Sequence, residues 1–353
     1  MVAGSPMAAR VIGMGAGNHG TGRRPAATRA SVMSRAARLA SRVTASLSVS
    51  LLLALAIAAP SRSEERLPKL ETLDSAEVPR TADGGNISEL SGLAWDADEN
   101  LLYAVSDKGL IHHFVVRLDG ARIAEIKSVF SGRLSAMTGH GTGRALANAE
   151  GLAVLNGANG KRSDSELLIA LEDGPAIARF TPQGQYIAAV KLPGPLADKN
   201  SYRDDTERLE SVAVHPHHEF VTAPERPLLG QPKDIHTLFA ANGRTWSFKT
   251  FQPRWSRLKA IETAPDGSVL ILERTRDEQG GAPHARLRHV DLSKCAADGA
   301  CTVVDPPMSG RIPPGNYEGL TRISDDLYLM VSDHKKRDEV PARLVLFRFK
   351  VGP

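Results

Sequence analysis

The sequence predicts an all-β fold, a β-propeller of five blades. One short motif recurs along the chain at intervals of 61, 60, 52 and 56 residues. Each interval holds several alternating apolar runs that are separated by Gly, Pro, Asp and Asn, whereas helical periodicity is nearly absent. A period of about 50 residues with several short strands in each unit is typical of a propeller blade.

The repeated motif has two parts, and each part carries an acidic residue. The first acid opens an apolar run, and the second acid ends the next run 11 to 22 residues later. The first acids are Glu89, Glu150, Glu210, Glu262 and Glu318. The second acids are Asp107, Glu172, Glu225, Glu273 and Asp333.

The last unit contributes only three apolar runs, near residues 317–323, 326–332 and 343–351. An unpaired strand edge exposes backbone N–H and C=O groups, so a fourth strand is expected there. The run from Leu67 to Leu73 is available at the other end of the domain, and we expect it to pair with the C-terminal strand and close the ring. Six blades remain an alternative, because residues 60–88 and 131–149 have room for a degenerate unit.

The first 58 residues are predicted to be an N-terminal extension with a secretory signal peptide, followed by a single domain over residues 59–353. The run from Ser46 to Ala59 is apolar, short and preceded by arginines, and a cleavage site is expected near Ala58. Residues 1–58 hold seven arginines and no acid, so their removal turns the formal net charge of +4 into −3. We therefore expect a periplasmic or secreted monomer with no nucleic-acid partner and no permanent membrane anchor.

The chain has two cysteines, Cys295 and Cys301. In an exported protein a pair this close is expected to form a disulfide across a turn. The alternative is a redox or metal pair, which would need further ligands or a CxxC spacing, and the sequence shows neither near this pair.

The repeated acids are candidates for a ring around the central channel, because a residue at the same place in every blade faces the same axis. Carboxylates that converge on one channel repel one another, which calls for raised pKa values, cationic partners or a bound metal ion. Many oxygen ligands favour Ca²⁺. The alternative is that the acids form ion pairs between blades or accept hydrogen bonds from backbone amides at strand ends.

Several of these segments resemble a known family. EGL at Glu150, ESVAV from Glu210, ILER ending at Arg274, and the closing NYEGL and VSD are similar, in this order, to the family named for the esterase-like activity of phytase, also called phytase-like. The resemblance covers residues 87–350. It implies an exported bacterial propeller that hydrolyses phosphoesters or esters, and by analogy with propeller phytases it implies Ca²⁺ held by channel carboxylates.

The sequence contains no G-x-S-x-G nucleophile elbow, so hydrolysis of a small phosphoester or ester would have to be metal-assisted. In this hypothesis the ten repeated acids supply the Ca²⁺ ligands, and Glu150 or Glu318 orients the attacking water. Basic residues that follow the acids would pair with the negative charge of the substrate. These residues are Lys108, Arg226, Arg274 and Lys335. The alternative function is a non-catalytic propeller that binds a ligand or a protein across the channel mouth.

Overall fold

Five sheets, antiparallel except for one short parallel pair, surround a central channel in a computed structural model that describes residues 67–81, 84–135, 148–277, 279–334 and 341–351. The strands of each sheet are mostly consecutive in sequence, because tight turns at Gly, Asn and Asp join neighbouring strands. The five-bladed propeller predicted from the repeat is therefore confirmed. The predicted signal peptide lies outside the described residues.

The chain builds the blades in order around the ring. An N-terminal strand, β1 (Lys69–Glu77), precedes the first blade. The first blade consists of β2 (Leu90–Asp96), β3 (Leu101–Ser106), β4 (Leu110–Asp119) and β5 (Arg122–Arg133). The second consists of β6 (Ala149–Leu155), β7 (Glu166–Leu171), β8 (Ala176–Phe180) and β9 (Tyr186–Val190). Two short helical turns follow it, α1 (Gly194–Ala197) and a 3-10 turn (Lys199–Ser201).

The third blade consists of β10 (Leu209–His215), β11 (Glu219–Pro224), β12 (Ile235–Ala240) and β13 (Thr245–Lys249). The fourth consists of β14 (Arg257–Thr263), β15 (Val269–Arg276), β16 (Pro283–Val290) and β17 (Val303–Val304), with a 3-10 turn (Leu292–Lys294) before β17. The fifth contains β18 (Met308–Ser309), β19 (Asn316–Arg322), β20 (Leu327–Asp333) and β21 (Arg343–Lys350). No helix among the described residues has the length and apolar character needed to cross a membrane.

The N-terminal strand completes the fifth blade. Strand β1 pairs antiparallel with β21 along its whole length, from Lys69 opposite Lys350 to Glu77 opposite Arg343, and it also pairs with the short strand β18. The sequence predicted this closure, although the observed strand extends four residues beyond the predicted Leu73.

The innermost strands β2, β6, β10, β14 and β19 lie side by side around the channel. Each of them has a β-bulge at the same place, one or two residues after its start. A bulge inserts an unpaired residue and redirects its side chain. The five bulges therefore present the side chains at one level of the channel.

Glycine allows these innermost strands to approach one another closely at the bulge. A Cβ atom on Gly92 would lie 2.6 Å from the carbonyl oxygen of Glu150, and one on Gly151 would lie 2.7 Å from the Cα of Ser211. Apolar clusters between adjacent blades then hold the ring together, as where Leu93 of the first blade packs with Leu329 and Val331 of the fifth. The level of the bulges is thus fixed by backbone packing on both sides.

Cys295 and Cys301 form the expected disulfide, with their Cα atoms 4.4 Å apart. The loop that the disulfide closes pairs with the outer strand of the third blade, where the amide of Cys301 donates to the carbonyl of Ser247 at 2.8 Å. The disulfide therefore stabilises a contact between two blades as well as a turn.

Candidate functional site

The bulge residue of each innermost strand is polar or charged. The five residues at this level are Ser91, Glu150, Glu210, Lys259 and Glu318. Apart from Ser91 and Lys259 they are three of the five first acids of the repeat. The structure thus gives the first blade a hydroxyl and the fourth blade an ammonium group where the other blades have a carboxylate.

A second level of charged residues lies at the end of the next strand in each blade. The pairing of the two strands places these five residues beside the start of the innermost strand, and they are Asp107, Glu172, Glu225, Arg274 and Asp333. The fourth blade again contributes a cation, Arg274. Both levels therefore have their positive charge in the same blade.

The two levels together hold seven carboxylates at one end of the channel, and six of them form two compact groups. In one group, Asp107, Glu150 and Glu318 each offer an oxygen within 4.8 Å of the others. In the other group, Glu172, Glu210 and Glu225 do the same. We call these six residues the acidic mouth. Carboxylate oxygens at these separations are suitable for a divalent cation.

Lys259 joins the two groups of the acidic mouth. Its ammonium nitrogen contacts a carboxylate oxygen of Glu210, and it lies 3.3 Å from Oε1 of Glu225 and 3.2 Å from Oε1 of Glu318. Arg274 bridges the same groups, 2.8 Å from Glu225 and 3.1 Å from Glu318. Among the described residues, two cations therefore face six carboxylates, and negative charge is in excess.

The pKa values of the mouth reflect this excess. Burial and the charge of Asp107 raise the pKa of Glu150 well above its usual value. Burial raises the pKa of Glu172 to about 7, and it raises the pKa of Asp107 to about 6 although a hydrogen bond from Ser91 opposes that shift. Burial alone would lower the pKa of Lys259, but the neighbouring carboxylates raise it well above its usual value. Asp107, Glu150 and Glu172 can therefore release protons when a cation binds.

Two of the ten predicted acids lie beside the mouth without joining either group. Glu89 has a left-handed backbone conformation (φ 57°) and forms an ion pair with Lys108 at 3.1 Å. Asp333 accepts a hydrogen bond from the side-chain amide of Asn316, which also donates to Glu318 at 2.8 Å. Both acids occupy the rim of the same end of the channel.

The other two predicted acids lie elsewhere, so the expected ring of ten is not formed. Glu262 lies three residues after Lys259 on β14, at the other end of the channel. Glu273 lies inside the fourth blade, where it pairs with Arg288 at 2.8 Å. The prediction aligned the five repeats on their acids. The observed register instead pairs Leu258 with Glu273 and leaves Lys259 in the bulge.

The predicted basic residues occupy different positions. Arg274 is held inside the mouth by two carboxylates. Lys108 is about two-fifths exposed on the rim, and Arg226 is paired with Glu207 at 2.6 Å and partly exposed. Lys335 lies outside the described residues. Lys108 and Arg226 are therefore the predicted bases that an anionic ligand at the mouth could reach.

Sequence reasoning missed Lys259 and Ser91, although a usable signal exists. In every blade the bulge residue is followed by a small residue and then by a large aliphatic one. The five aliphatic residues are Leu93, Leu152, Val212, Ile261 and Leu320. An alignment on this apolar position, rather than on the acid, brings Ser91 and Lys259 into register with Glu150.

The fold and the site together define a five-bladed propeller with an acid-lined channel mouth. The chain belongs to the phytase-like family, described as "Esterase-like activity of phytase", whose model matches residues 86–348. The match includes all six residues of the acidic mouth and both cations that bridge them. Among curated proteins, none matches the chain.

Proposed function

We propose that this phytase-like propeller is a Ca²⁺-dependent hydrolase of small phosphoesters or esters, exported from the cell, with its reaction centre at the acidic mouth. The observation that carries the proposal is the excess of buried carboxylates over cations at this mouth. Among the residues that the structure describes, the six carboxylates form ion pairs with two basic side chains, Lys259 and Arg274, and an uncompensated buried charge is costly.

A divalent cation suits this donor set. All the candidate ligand atoms are carboxylate oxygens, which a hard cation such as Ca²⁺ prefers. Asp107, Glu150 and Glu318 would hold one ion, and Glu172, Glu210 and Glu225 offer a second group of oxygens. When bound, Ca²⁺ would polarise the phosphoryl or carbonyl oxygen of the substrate.

The protein's own residues supply the remaining requirements of hydrolysis. Glu150 has a raised pKa and lies at the mouth, so its carboxylate is suited to accept a proton from an attacking water. Lys108 is exposed and Arg226 is partly exposed, and both are suited to bind the anionic part of a substrate. Lys259 and Arg274 fix the positions of the carboxylates and reduce their mutual repulsion.

Export is supported by the disulfide between Cys295 and Cys301, because disulfides persist in oxidising compartments. Mass spectrometry of the protein from the periplasm or the medium tests it. We expect a mature N-terminus close to residue 59, and a mature N-terminus upstream of residue 50 would contradict cleavage at this site.

A hydrolysis screen tests the activity. The mature protein is assayed against phytate, simple phosphomonoesters, carboxyl esters and lactones, with Ca²⁺ and with EGTA. We expect Ca²⁺-dependent turnover that falls about 100-fold or more in Glu150→Gln, since an acid–base group typically contributes that much. Glu125→Gln, on the exposed surface of the first blade, is the matched control and should keep full activity.

Two outcomes of this screen would contradict the proposal in different ways. Turnover that EGTA leaves unchanged would exclude the metal-assisted mechanism. An absence of turnover together with Ca²⁺-dependent stability would instead show a metal-binding propeller without catalysis.

A further inference from the structure

A cavity of about 430 Å³ lies at the end of the channel opposite the acidic mouth. The innermost strands begin at the acidic mouth, and the residues near their other ends line this cavity. We call it the opposite cavity. Its volume is in the range of small-molecule sites.

The opposite cavity exists because small side chains occupy one level of the channel. Four blades place Ala94, Ala153, Ala213 and Thr321 at equivalent positions of their innermost strands. The fourth blade places Glu262 at the same level. A ring of small residues thus leaves space around a single carboxylate.

The walls of the cavity are held in place before any ligand binds. The hairpin after β6 carries Gly157 and Asn159, and the carboxylate of Asp98 in the neighbouring blade accepts the backbone N–H of Asn159 at 2.7 Å. The carbonyl of Gly157 accepts the amide of Ala97 at 2.7 Å. Trp95 donates its amide to the hydroxyl of Thr321 at 3.0 Å. Contacts between blades therefore fix three sides of the cavity.

Two residues of opposite charge, Glu262 and Arg322, lie among the described residues that line the cavity. Glu262 accepts the backbone N–H of Thr263 at 3.0 Å, and Arg322 donates through Nε to the carbonyl of Thr263 at 3.3 Å. Burial raises the pKa of Glu262 to about 7, and the charge of Arg322 only partly opposes this shift. The carboxylate thus lacks a full cationic partner.

The rest of the lining is mixed, because Trp95, Val154 and Val214 are apolar whereas Asn156 and Asn159 are polar. A polyanion is disfavoured here, because one carboxylate and one guanidinium give no net positive charge. A molecule with an ammonium group, a carboxylate and a small apolar body matches the three features together.

We propose that the opposite cavity binds a small zwitterion of the α-amino acid type, with its ammonium group at Glu262 and its carboxylate at Arg322. The site is separate from the proposed reaction centre at the acidic mouth. It gives the propeller a second ligand that carries no phosphate.

Isothermal titration with L-leucine and two blocked derivatives tests the proposal on the full mature protein. N-acetyl-L-leucine lacks the ammonium group, and L-leucine methyl ester lacks the carboxylate. We expect L-leucine to bind and each derivative to bind about tenfold or more weakly, since each loses one charge-assisted hydrogen bond. EGTA should leave the binding of L-leucine unchanged, which separates this site from the acidic mouth.

Variants that remove one charge test whether Glu262 binds the ammonium group of L-leucine and Arg322 binds its carboxylate. Glu262→Gln should weaken L-leucine and its methyl ester while leaving N-acetyl-L-leucine unchanged. Arg322→Gln should weaken L-leucine and N-acetyl-L-leucine while leaving the ester unchanged. Glu125→Gln and Arg117→Gln, an exposed ion pair on the first blade, are the matched controls.

The proposal is overturned if L-leucine does not bind to the wild type, or if all three compounds bind equally. It is also overturned if Glu262→Gln and Arg322→Gln weaken the three compounds to the same extent. Thermal unfolding of each variant shows that it is folded, and Arg322→Met, which also removes the charge, replaces Arg322→Gln if that variant does not fold.

Discussion

Glu210 and Glu273 are both almost fully buried, yet their surroundings drive their pKa values in opposite directions. Burial raises the pKa of Glu210 well above its usual value, and the nearby carboxylates of Glu225 and Glu150 add to the effect against Lys259. Burial also acts to raise the pKa of Glu273, but His236 and Arg288 bring it down to about 2.

The two carboxylates differ in the number of hydrogen-bond and ion-pair partners available to each. Glu273 has Arg288 at 2.8 Å and the backbone N–H of Phe251 at 2.9 Å, and His236 lies 3.7 Å away, which is an electrostatic contact rather than a hydrogen bond. Glu210 shares Lys259 with two other carboxylates. Glu273 is therefore part of a structural ion pair, whereas the equally buried Glu210 lies in a group of carboxylates that could hold a further cation.

Removal of Arg288 should have the largest effect on stability. Arg288→Met leaves the carboxylate of Glu273 buried without its strongest partner, and we expect a loss of about 3–5 kcal/mol in the free energy of unfolding. Urea denaturation measures this loss. Arg117→Met, which breaks an exposed ion pair with Glu125, is the control and should cost about 0–1 kcal/mol. If added Ca²⁺ restored the stability of Arg288→Met, Glu273 would also be part of a metal site, and the difference between Glu273 and Glu210 would be contradicted.

Removal of Lys259 should have a smaller and conditional effect. In Lys259→Met with chelator near neutral pH, the carboxylates of the mouth can take up protons, so we expect a loss of about 2–3 kcal/mol. Ca²⁺ should restore part of this loss, because the ion replaces the missing positive charge. Urea denaturation with Ca²⁺ and with EGTA measures both values. An identical loss under the two conditions would show that Lys259 acts only as a structural partner.

The stability of the wild type should depend on pH through both the acidic mouth and Glu273. Glu172 and Asp107 have folded pKa values of about 7 and about 6, above the values expected in the unfolded chain, so the folded state holds protons that the unfolded chain releases. With chelator, stability should therefore fall as the pH rises from about 4.5 to about 7, on the order of 2 kcal/mol. Ca²⁺ should flatten this decline.

Glu273 has the opposite dependence. Its folded pKa of about 2 lies below the unfolded value, so its contribution is present above about pH 4.5 and is lost as the pH falls toward 2. Thermal unfolding across this range, with EGTA, should give a maximum of stability near pH 5. In Arg288→Met the loss on the acidic side should shrink, and a curve identical to that of the wild type would contradict the role of Glu273.

The sequence was sufficient for the architecture and insufficient for the register. The period, the three runs of the last unit and the run from Leu67 predicted five blades and the closure by β1, because apolar alternation decides which segments form strands. The repeat also pointed to all six acids of the mouth. The repeat could not show that Glu150 lies at the mouth and Glu262 at the other end of the channel, since both acids stand beside similar apolar runs.

A shift of one to three residues along the strand decides whether such an acid lies at the acidic mouth. On a strand, a shift of one residue moves a side chain to the other face. Glu273 is next to Arg274, and the bulge at Lys259 places Arg274 at the mouth and Glu273 inside the blade. The opposite cavity was beyond prediction for a related reason, because it depends on the joint position of small residues from four blades.

A calorimetric titration of Ca²⁺ into the metal-stripped protein near neutral pH tests whether the acidic mouth holds a cation. It is repeated in buffers of different ionisation enthalpy to count released protons. We expect Ca²⁺ to bind and to release protons, because Asp107, Glu150, Glu172 and Glu210 of the acidic mouth have raised pKa values. Glu150→Gln should weaken binding, whereas Glu125→Gln should not change it. An absence of binding by the wild type, or binding of equal strength in Glu150→Gln, would contradict the claim that the acidic mouth holds a cation.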